Sequence, residues 1–201
     1  AQKVVVVDPG HGGRDLGAVI GKYFEKDIVL SIAKKLHEKL SEKSDMRPSL
    51  TRSSDEFVTL TDRLIHADKI GGKTFISIHA DKSKKKMKGI VLYVYGNNPS
   101  IPKGPPRRYG EKSFPPPPRS QINNSLLLAQ RLQKILRGHQ FEVVDYIDRG
   151  GFAVLKSPHI PSVLVEVGNI RDEDMVAHLR DPIYQDNLAQ ALSEGISSFL
   201  D

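Results

Sequence analysis

The 201-residue chain contains no cysteine. This absence excludes disulfide bonds, cysteine nucleophiles and thiolate zinc ligands, so a metal ion would have to be held by histidine and carboxylate side chains. The chain also has no apolar run that approaches the ~20 residues needed to cross a bilayer, which argues against stable membrane insertion. With 38% hydrophobic and 27% charged residues, the composition excludes a membrane protein and argues against a disordered one.

The length favours one domain that spans residues 1–201, since domains commonly have about 100–200 residues. A chain of this size buries about 70% of its unfolded surface, which is enough for a core without a structural metal. The first residue is Ala1 rather than methionine. We therefore expect that an N-terminal leader or upstream segment has been removed.

The formal net charge of +6 is compatible with an anionic partner such as a nucleic acid, an acidic polymer or a membrane surface, or simply with a soluble basic surface. Nucleic acid is disfavoured because no recognition motif is present and the basic residues are scattered. One short run lies within residues 82–88, with five lysines among seven residues. This run is either a solvated loop or a surface that attracts carboxylates, and the second alternative would weaken with salt.

Strands and helices alternate along the chain. Residues 4–8 form a continuous β-branched run that ends at Pro9 and Gly10, which is typical of a buried central strand. Residues 26–40 repeat an apolar side chain every four positions, which predicts an amphipathic helix. The remaining predicted strands are residues 47–51, 74–79, 89–95, 151–155 and 162–167. The remaining predicted helices are residues 60–70, a helix capped by Asn124 that ends at Gly138, and residues 172–180 and 186–200. The alternation predicts a three-layer α/β/α fold with a mostly parallel, twisted sheet of about six strands.

Residues 96–119 interrupt this alternation because they contain eight of the 13 prolines. A regular helix is excluded there, since proline lacks the amide proton that a helix interior needs. Twenty-four residues are long for a connection without regular structure. We expect either a functional flap or a surface loop inserted into the domain.

Four side chains that can bind or assist a metal follow the predicted strands. His11 comes just after the first strand, His79 ends the strand at 74–79, and Glu166 lies near the end of the strand at 162–167. Glu25 lies at the start of the first long helix. In open α/β sheets, ligands bind beyond the carboxyl ends of the strands, so we expect these groups at one edge of the sheet.

Two histidines and one carboxylate suit a catalytic zinc site that leaves a fourth position for water, and a further carboxylate such as Glu166 would act as the general base. The positions alone leave other interpretations open. His79 fits a core histidine, and His11 fits a turn between glycines. Glu25 fits a first-turn helix residue favoured by the helix dipole, and Glu166 fits a buried structural salt bridge.

Five motifs occur in a fixed order: VVVDPGHGG at 5–13, EKDIVL at 25–30, LTR at 50–52 with Asp55, SIHAD at 77–81, and PSVLVEVGN at 161–169. As a set they resemble the catalytic domain of the zinc-dependent N-acetylmuramoyl-L-alanine amidases, which are bacterial cell-wall hydrolases. The resemblance covers the chain from residue 4 to its end. It implies that His11, Glu25 and His79 are the ligands of one Zn²⁺ ion and that Glu166 is the catalytic glutamate.

The resemblance also implies a reaction and a location. The substrate would be peptidoglycan, cleaved between N-acetylmuramic acid and the L-alanine of the stem peptide by a zinc-activated water. The protein would be a monomer in the periplasm or outside the cell, with an activating protein as a further partner. Two alternatives stay open: a zinc carboxypeptidase or aminopeptidase on a related fold, and a cell-wall-binding module without activity.

The sequence departs from the family pattern at two places. Members active in cell division carry a helix that blocks the zinc site in the slot where this chain has residues 96–119, so we expect an open or loop-gated site, with Glu111 as a weak substitute ligand. Residues 169–172 also differ from the sequences common at that point. Arg52 and Arg63 are interpreted as structural ion-pair partners rather than substrate clamps.

Overall fold

The computed structural model describes residues 1–80, 89–99 and 113–201. Its eight strands are β1 (Lys3–Pro9), β2 (Val19–Ile20), β3 (Tyr23–Phe24), β4 (Met46–Leu50), β5 (Thr74–His79), β6 (Val91–Tyr95), β7 (Asp148–Gly150) and β8 (Ser162–Glu166). Its five α-helices are α1 (Glu25–Ser41), α2 (Leu60–Lys69), α3 (Arg119–Gly138), α4 (Glu173–Arg180) and α5 (Pro182–Leu200). Most predicted elements are therefore confirmed to within one or two residues.

Six of the strands form one sheet in the order β4-β1-β5-β8-β6-β7, while β2 and β3 form a separate hairpin. The pairs β4–β1, β1–β5 and β5–β8 are parallel, and β6 pairs with β8 in the antiparallel direction. This confirms the mostly parallel six-stranded sheet. Because β1, β5 and β8 run the same way, their carboxyl ends meet at one edge of the sheet.

The two faces of the sheet carry cores of different size. The larger core packs α1, α3, α4 and α5 against one face, and the smaller packs α2 and a short 3₁₀ helix against the other. Strand β1 contributes to both, with Val5 and Val7 in the larger core and Val6 in the smaller. This explains the unbroken valine run, because a central strand covered on both faces needs apolar side chains at every position.

Helix α3 begins six residues earlier than predicted, at Arg119. Pro118 precedes its first turn with extended dihedral angles, and Asn124 lies in the helix interior, so the prediction that Asn124 caps this helix is wrong. Its position is instead set by Gln121, whose side-chain amide donates to the carbonyl oxygens of Ser157 and Ile160. These bonds join α3 to the segment that leads into β8.

The predicted strand at residues 151–155 is also wrong. The strand is β7, at Asp148–Gly150, and Ala153–Leu155 form the 3₁₀ helix, with Val154 and Leu155 buried in the smaller core. A short apolar run does not distinguish a strand from a buried helical turn, which explains the error.

Residues 96–99 and 113–118 of the proline-rich segment contain neither helix nor strand. Residues 100–112, including Glu111, and the lysine run at 82–88 lie outside the described residues. In the described part of the chain, no helix combines the length and the hydropathy needed to cross a membrane.

Candidate active site

Glu25 begins α1 and is held from two directions. The β2–β3 hairpin leads into it, and its Oε2 atom accepts a hydrogen bond from the Ala18 amide at 2.9 Å. Its Oε1 atom accepts one from the Ala80 amide, just after β5, at 3.0 Å. The residue is only 2% exposed. These two amides orient a buried carboxylate that the helix N-terminus also stabilises.

His11 and His79 both face this carboxylate. Glu25 Oε1 lies 3.1 Å from His11 Nε2 and 3.3 Å from His79 Nδ1, and the two imidazole rings meet edge to face with their centroids 5.0 Å apart. One ligand atom from each residue lies within 4.8 Å of the other two. The structure thus brings together three of the four side chains singled out in the sequence.

The cluster fits the geometry of a zinc site. Zinc bonds nitrogen and oxygen ligands at about 2.0–2.2 Å in a tetrahedral arrangement, which places neighbouring ligand atoms about 3.3 Å apart. The two distances to Glu25 Oε1, 3.1 and 3.3 Å, match that separation. Two imidazole nitrogens and one carboxylate leave a fourth position, as in catalytic zinc sites.

Each histidine ring is also held on its outer side. His11 Nδ1 lies 2.9 Å from Asp15 Oδ2, and His79 Nε2 lies 3.1 Å from Ser77 Oγ. Metal-binding histidines commonly use their second nitrogen in this way, which sets the ring orientation. The inner nitrogens, His11 Nε2 and His79 Nδ1, are therefore the ones presented to a metal.

The electrostatics of the cluster favour a cation at its centre. Burial lowers the pKa of His11, but hydrogen bonds to Asp15 and Glu25 outweigh it and raise this pKa to about 10. Burial raises the pKa of Glu25, but hydrogen bonds with His11 and His79 outweigh it and hold this pKa well below its usual range. An ionised carboxylate that draws protons onto its neighbours attracts a metal cation by the same charge.

Asp8 lies beneath the cluster and is fully buried at the end of β1. Its Oδ1 atom accepts from Thr51 Oγ1 at 2.7 Å and from Arg63 Nη1 at 2.9 Å, and its Oδ2 atom accepts from Ser77 Oγ at 2.7 Å. Burial raises the pKa of Asp8, but the Arg63 charge and these hydrogen bonds outweigh it and lower the pKa. Asp8 is thus an ionised carboxylate that only accepts hydrogen bonds.

The loop that carries His11 has an unusual backbone. His11 has φ of 63°, a left-handed conformation that non-glycine residues rarely adopt, and Gly12 and Gly13 follow with φ of 124° and 58°. Arg63 Nη2 donates to the His11 carbonyl oxygen at 2.8 Å, and Arg52 donates to the carbonyl oxygens of Pro9 and Gly10. Two buried guanidinium groups therefore hold the strained loop.

The structural interpretation of the two arginines is confirmed with one correction. Arg63 forms the expected ion pair, with Asp8. Among the described residues, Arg52 instead donates hydrogen bonds to the backbone carbonyl oxygens of Pro9, Gly10, Lys26 and Ser54. A planar guanidinium with five donors can satisfy several carbonyl groups at once, which explains how Arg52 organises the loop through backbone contacts.

Glu166 is the last residue of β8 and pairs with His79 in the parallel β5–β8 register. Directly paired residues on adjacent strands lie about 4.8 Å apart and direct their side chains to the same face of the sheet. Glu166 is half-buried. The residue lies beside the cluster rather than among its three ligand atoms.

Comparison with known proteins decides the family. The family model for N-acetylmuramoyl-L-alanine amidase matches residues 5–198. The chain belongs to this family.

Three similar proteins illustrate the relationship. The amidase AmiC of Escherichia coli O6:H1 is 30% identical, over 98% of this chain and 52% of AmiC. An amidase structure from Clostridium difficile 630 is 28% identical with a TM-score of 0.81, covering 100% of this chain and 97% of that one. The CwlD amidase from Clostridioides difficile, solved in complex with the GerS lipoprotein, is 25% identical with a TM-score of 0.75, covering 99% and 98%. The chain spans about half the length of AmiC.

The sequence analysis did not identify three residues that support the cluster of His11, Glu25 and His79. Asp8 terminates an apolar strand, Ser77 lies two residues before His79 on the same strand face, and Asp15 lies four residues after His11. The contact of Ser77 with His79 could have been predicted from the sequence, because alternate residues of a strand share a face. Nothing local pointed to Asp8 as the partner of Ser77, since 69 positions separate them.

Proposed function

We propose that this chain is a zinc-dependent peptidoglycan hydrolase that cleaves the amide between N-acetylmuramic acid and the L-alanine of the stem peptide. The observation that carries the proposal is the convergence of His11, Glu25 and His79 at the sheet edge, with their potential ligand atoms within 4.8 Å of one another. Membership of the amidase family supports the substrate.

His11 Nε2, Glu25 and His79 Nδ1 would hold the zinc ion. When bound, zinc lowers the pKa of a water molecule and polarises a carbonyl oxygen, which is the chemistry that amide hydrolysis needs. The three side chains are held by Asp15, the Ala18 and Ala80 amides, and Ser77. This support keeps the donor atoms in position without reorganisation, as catalysis by oriented groups requires.

Glu166 acts as the general base and then as the general acid. Its place opposite His79 in the β5–β8 register supports this role. Its carboxylate takes a proton from the attacking water as the new carbon–oxygen bond forms. It then delivers that proton to the L-alanine nitrogen as the carbon–nitrogen bond breaks. General acid–base catalysis of this kind contributes about 10²–10⁴-fold to the rate.

The decisive experiment combines zinc content with product analysis on purified cell-wall sacculi. The unaltered chain should bind one zinc and release intact stem peptides from the glycan, detected by mass spectrometry. Glu166→Gln should lower kcat by about 10²-fold or more while retaining zinc. Glu38→Gln, on the exposed face of α1, is the matched control and should behave as the unaltered chain.

The other candidate functions predict different products. Peptides shortened from one end would identify a carboxypeptidase or aminopeptidase, and binding to sacculi without release of peptides would identify a wall-binding module. Undiminished turnover by Glu166→Gln would show that Glu166 takes no part in the reaction. Each of these results would overturn the corresponding part of the proposal.

A location and partners complete the proposal. A peptidoglycan substrate places the enzyme in the periplasm or outside the cell. The formal charge of +6 suits an anionic cell wall, and the lipoprotein partner of the related CwlD supports a role for a protein activator here. Co-purification of the chain from its own cell envelope, compared at low and high salt, tests for such a partner. Sedimentation of the purified chain tests whether it is a monomer.

A further inference from the structure

The two histidines of the cluster present different ring nitrogens to Glu25. His11 presents Nε2, whereas His79 presents Nδ1. A neutral imidazole carries its proton on one nitrogen only, and the nitrogen that binds a metal must be the other one. His11 must therefore keep its proton on Nδ1, and His79 must keep its proton on Nε2.

The outer partner of His11 enforces this arrangement directly. His11 Nδ1 faces an oxygen of Asp15 at 2.9 Å, and an ionised carboxylate only accepts hydrogen bonds. The proton on Nδ1 is stabilised, so Nε2 is the nitrogen that gives up its proton when a metal binds. His79 differs, because its outer partner is the hydroxyl of Ser77 at 3.1 Å. A hydroxyl can donate or accept, so Ser77 alone does not select a tautomer.

Asp8 removes this ambiguity. Ser77 Oγ donates a hydrogen bond to Asp8 Oδ2 at 2.7 Å. The other carboxylate oxygen, Oδ1, accepts hydrogen bonds from Thr51 and Arg63. A serine hydroxyl has a single proton, and in Ser77 that proton is donated in the hydrogen bond to Asp8. Ser77 therefore turns only lone pairs towards His79, and a favourable contact requires a proton on Nε2.

The buried surroundings of Asp8 and Ser77 disfavour any other direction of these hydrogen bonds. Asp8 and Ser77 are paired in the β1–β5 register, and both are fully buried. An unpaired polar group in such a place costs free energy, so reversing one hydrogen bond leaves another donor or acceptor unsatisfied. The direction of donation is thus set along the whole line from His79 through Ser77 to Asp8.

We propose that Asp8 and Ser77 are positioning residues that hold the proton of His79 on Nε2 and thereby set the affinity of the cluster for zinc. This inference rests on the proposed zinc site and adds two residues that do not bind the metal themselves. Loss of an outer partner of a metal-binding histidine typically weakens metal affinity by about 10–100-fold. The same weakening is expected when the Ser77 hydroxyl is removed.

Zinc affinity is measured by competition with a chromophoric chelator at constant pH. Ser77→Ala should raise the Kd for zinc by about 10–100-fold. Ser162→Ala is the matched control, because it removes an equally buried hydroxyl from the neighbouring strand β8, where Ser162 donates to a backbone carbonyl. Its Kd should equal that of the unaltered chain, even if both variants lose some stability.

Asp8→Asn reverses the hydrogen bond without removing an atom. The asparagine oxygen can still accept from Thr51 and Arg63, so its amide nitrogen faces Ser77 and donates to it. Ser77 then directs its own proton at His79 and opposes the Nε2–H form. Asp8→Asn should therefore weaken zinc binding at least as much as Ser77→Ala.

A spectroscopic measurement separates positioning from packing. The chain is labelled with a magnetic nitrogen isotope and loaded with a magnetic isotope of cadmium, so that metal–nitrogen couplings identify the bound atoms. The couplings should appear at His79 Nδ1 and His11 Nε2, with a slowly exchanging proton on His79 Nε2. In Ser77→Ala that proton should exchange faster.

Distinct results overturn this inference and the zinc site itself. Coupling at His79 Nε2 in the unaltered chain, or a Kd for Ser77→Ala equal to that for Ser162→Ala, would overturn the positioning role while the zinc site stands. A chain that binds no zinc through His79 would overturn both.

Discussion

Arg63 and Asp8 form an ion pair of 2.9 Å between side chains that are 2% and 0% exposed. The same guanidinium group also donates to the carbonyl oxygens of Pro9 and His11. One residue of α2 thus supports both the carboxylate beneath the candidate site and the strained loop that carries His11. The pair joins the stability of the fold to the geometry of the site.

Removing one member of this pair should destabilise the protein strongly. Arg63→Met leaves the Asp8 charge buried without its cation, which costs about 3–5 kcal/mol in comparable buried pairs. The free energy of unfolding from urea titration measures the loss. Arg137→Met is the matched control, since Arg137 pairs with the fully exposed Asp145, and it should leave the unfolding free energy unchanged. Equal losses in the two variants would contradict the role assigned to the buried pair.

The stability of the protein should fall in acid because of Asp8. Its pKa in the folded state lies below the ordinary value of 3.8, so the unfolded chain takes up a proton more readily than the folded one. The stabilisation that ionised Asp8 contributes is fully present above the ordinary pKa of the unfolded chain. It is lost as the pH falls from there through the lowered pKa of the folded state. Urea titrations across this range should show a smaller acid-induced loss in Arg63→Met. A loss as steep as in the unaltered chain would argue against the Asp8 contribution.

Metal removal should lower the thermal stability of the folded chain. A ligand that binds only the native state at one hundred times its Kd adds about 2.7 kcal/mol, so a chelator should lower Tm and added zinc should restore it. Magnesium and calcium should not restore it, because they prefer oxygen ligands. His11→Ala should abolish the response, whereas His159→Ala, at an exposed residue paired with Asp68, should retain it. A Tm unaffected by chelator in the zinc-loaded chain would contradict the metal site.

Gly10→Ala should disturb the site more than the fold. A methyl group at residue 10 would lie 2.6 Å from His79 Nε2, closer than real contacts allow, so the ring would have to move. We expect zinc affinity to fall by about 10-fold or more, as when a ligand loses its outer support. Gly138→Ala is the control, since a methyl group there meets no atom within 4 Å. Competition with a chelator compares the two variants, and equal affinities would show that His79 tolerates the displacement.

The architecture was largely predictable because it follows from local patterns. The valine run of β1 and the four-residue apolar repeat of α1 identify the first strand and helix, and the strand at Thr74–His79 matches its prediction at both ends. The errors lie where local patterns are ambiguous. At residues 151–155 a short apolar run forms a buried 3₁₀ helix, and at Asn124 a residue that commonly caps helices lies inside one.

The sequence by itself determined the types of side chain at the strand ends. Without cysteine, a metal site had to use histidine and carboxylate, and His11, Glu25 and His79 were singled out before their contacts were known. The predicted parallel strands also placed these side chains at one edge of the sheet. This much follows from periodicity and from the rule that ligands bind beyond the carboxyl ends of parallel strands.

Only the tertiary structure decided which atoms face one another. The Ala80 amide that orients Glu25 is 55 positions away from it in the sequence. Asp8, which accepts the hydrogen bond of the Ser77 hydroxyl, is 69 positions away from Ser77. Such contacts depend on strand register and on the packing of α1 and α2 against the two faces of the sheet. Hydrogen bonds act over about 3 Å, so a pattern along the chain names the participants but does not fix their directions.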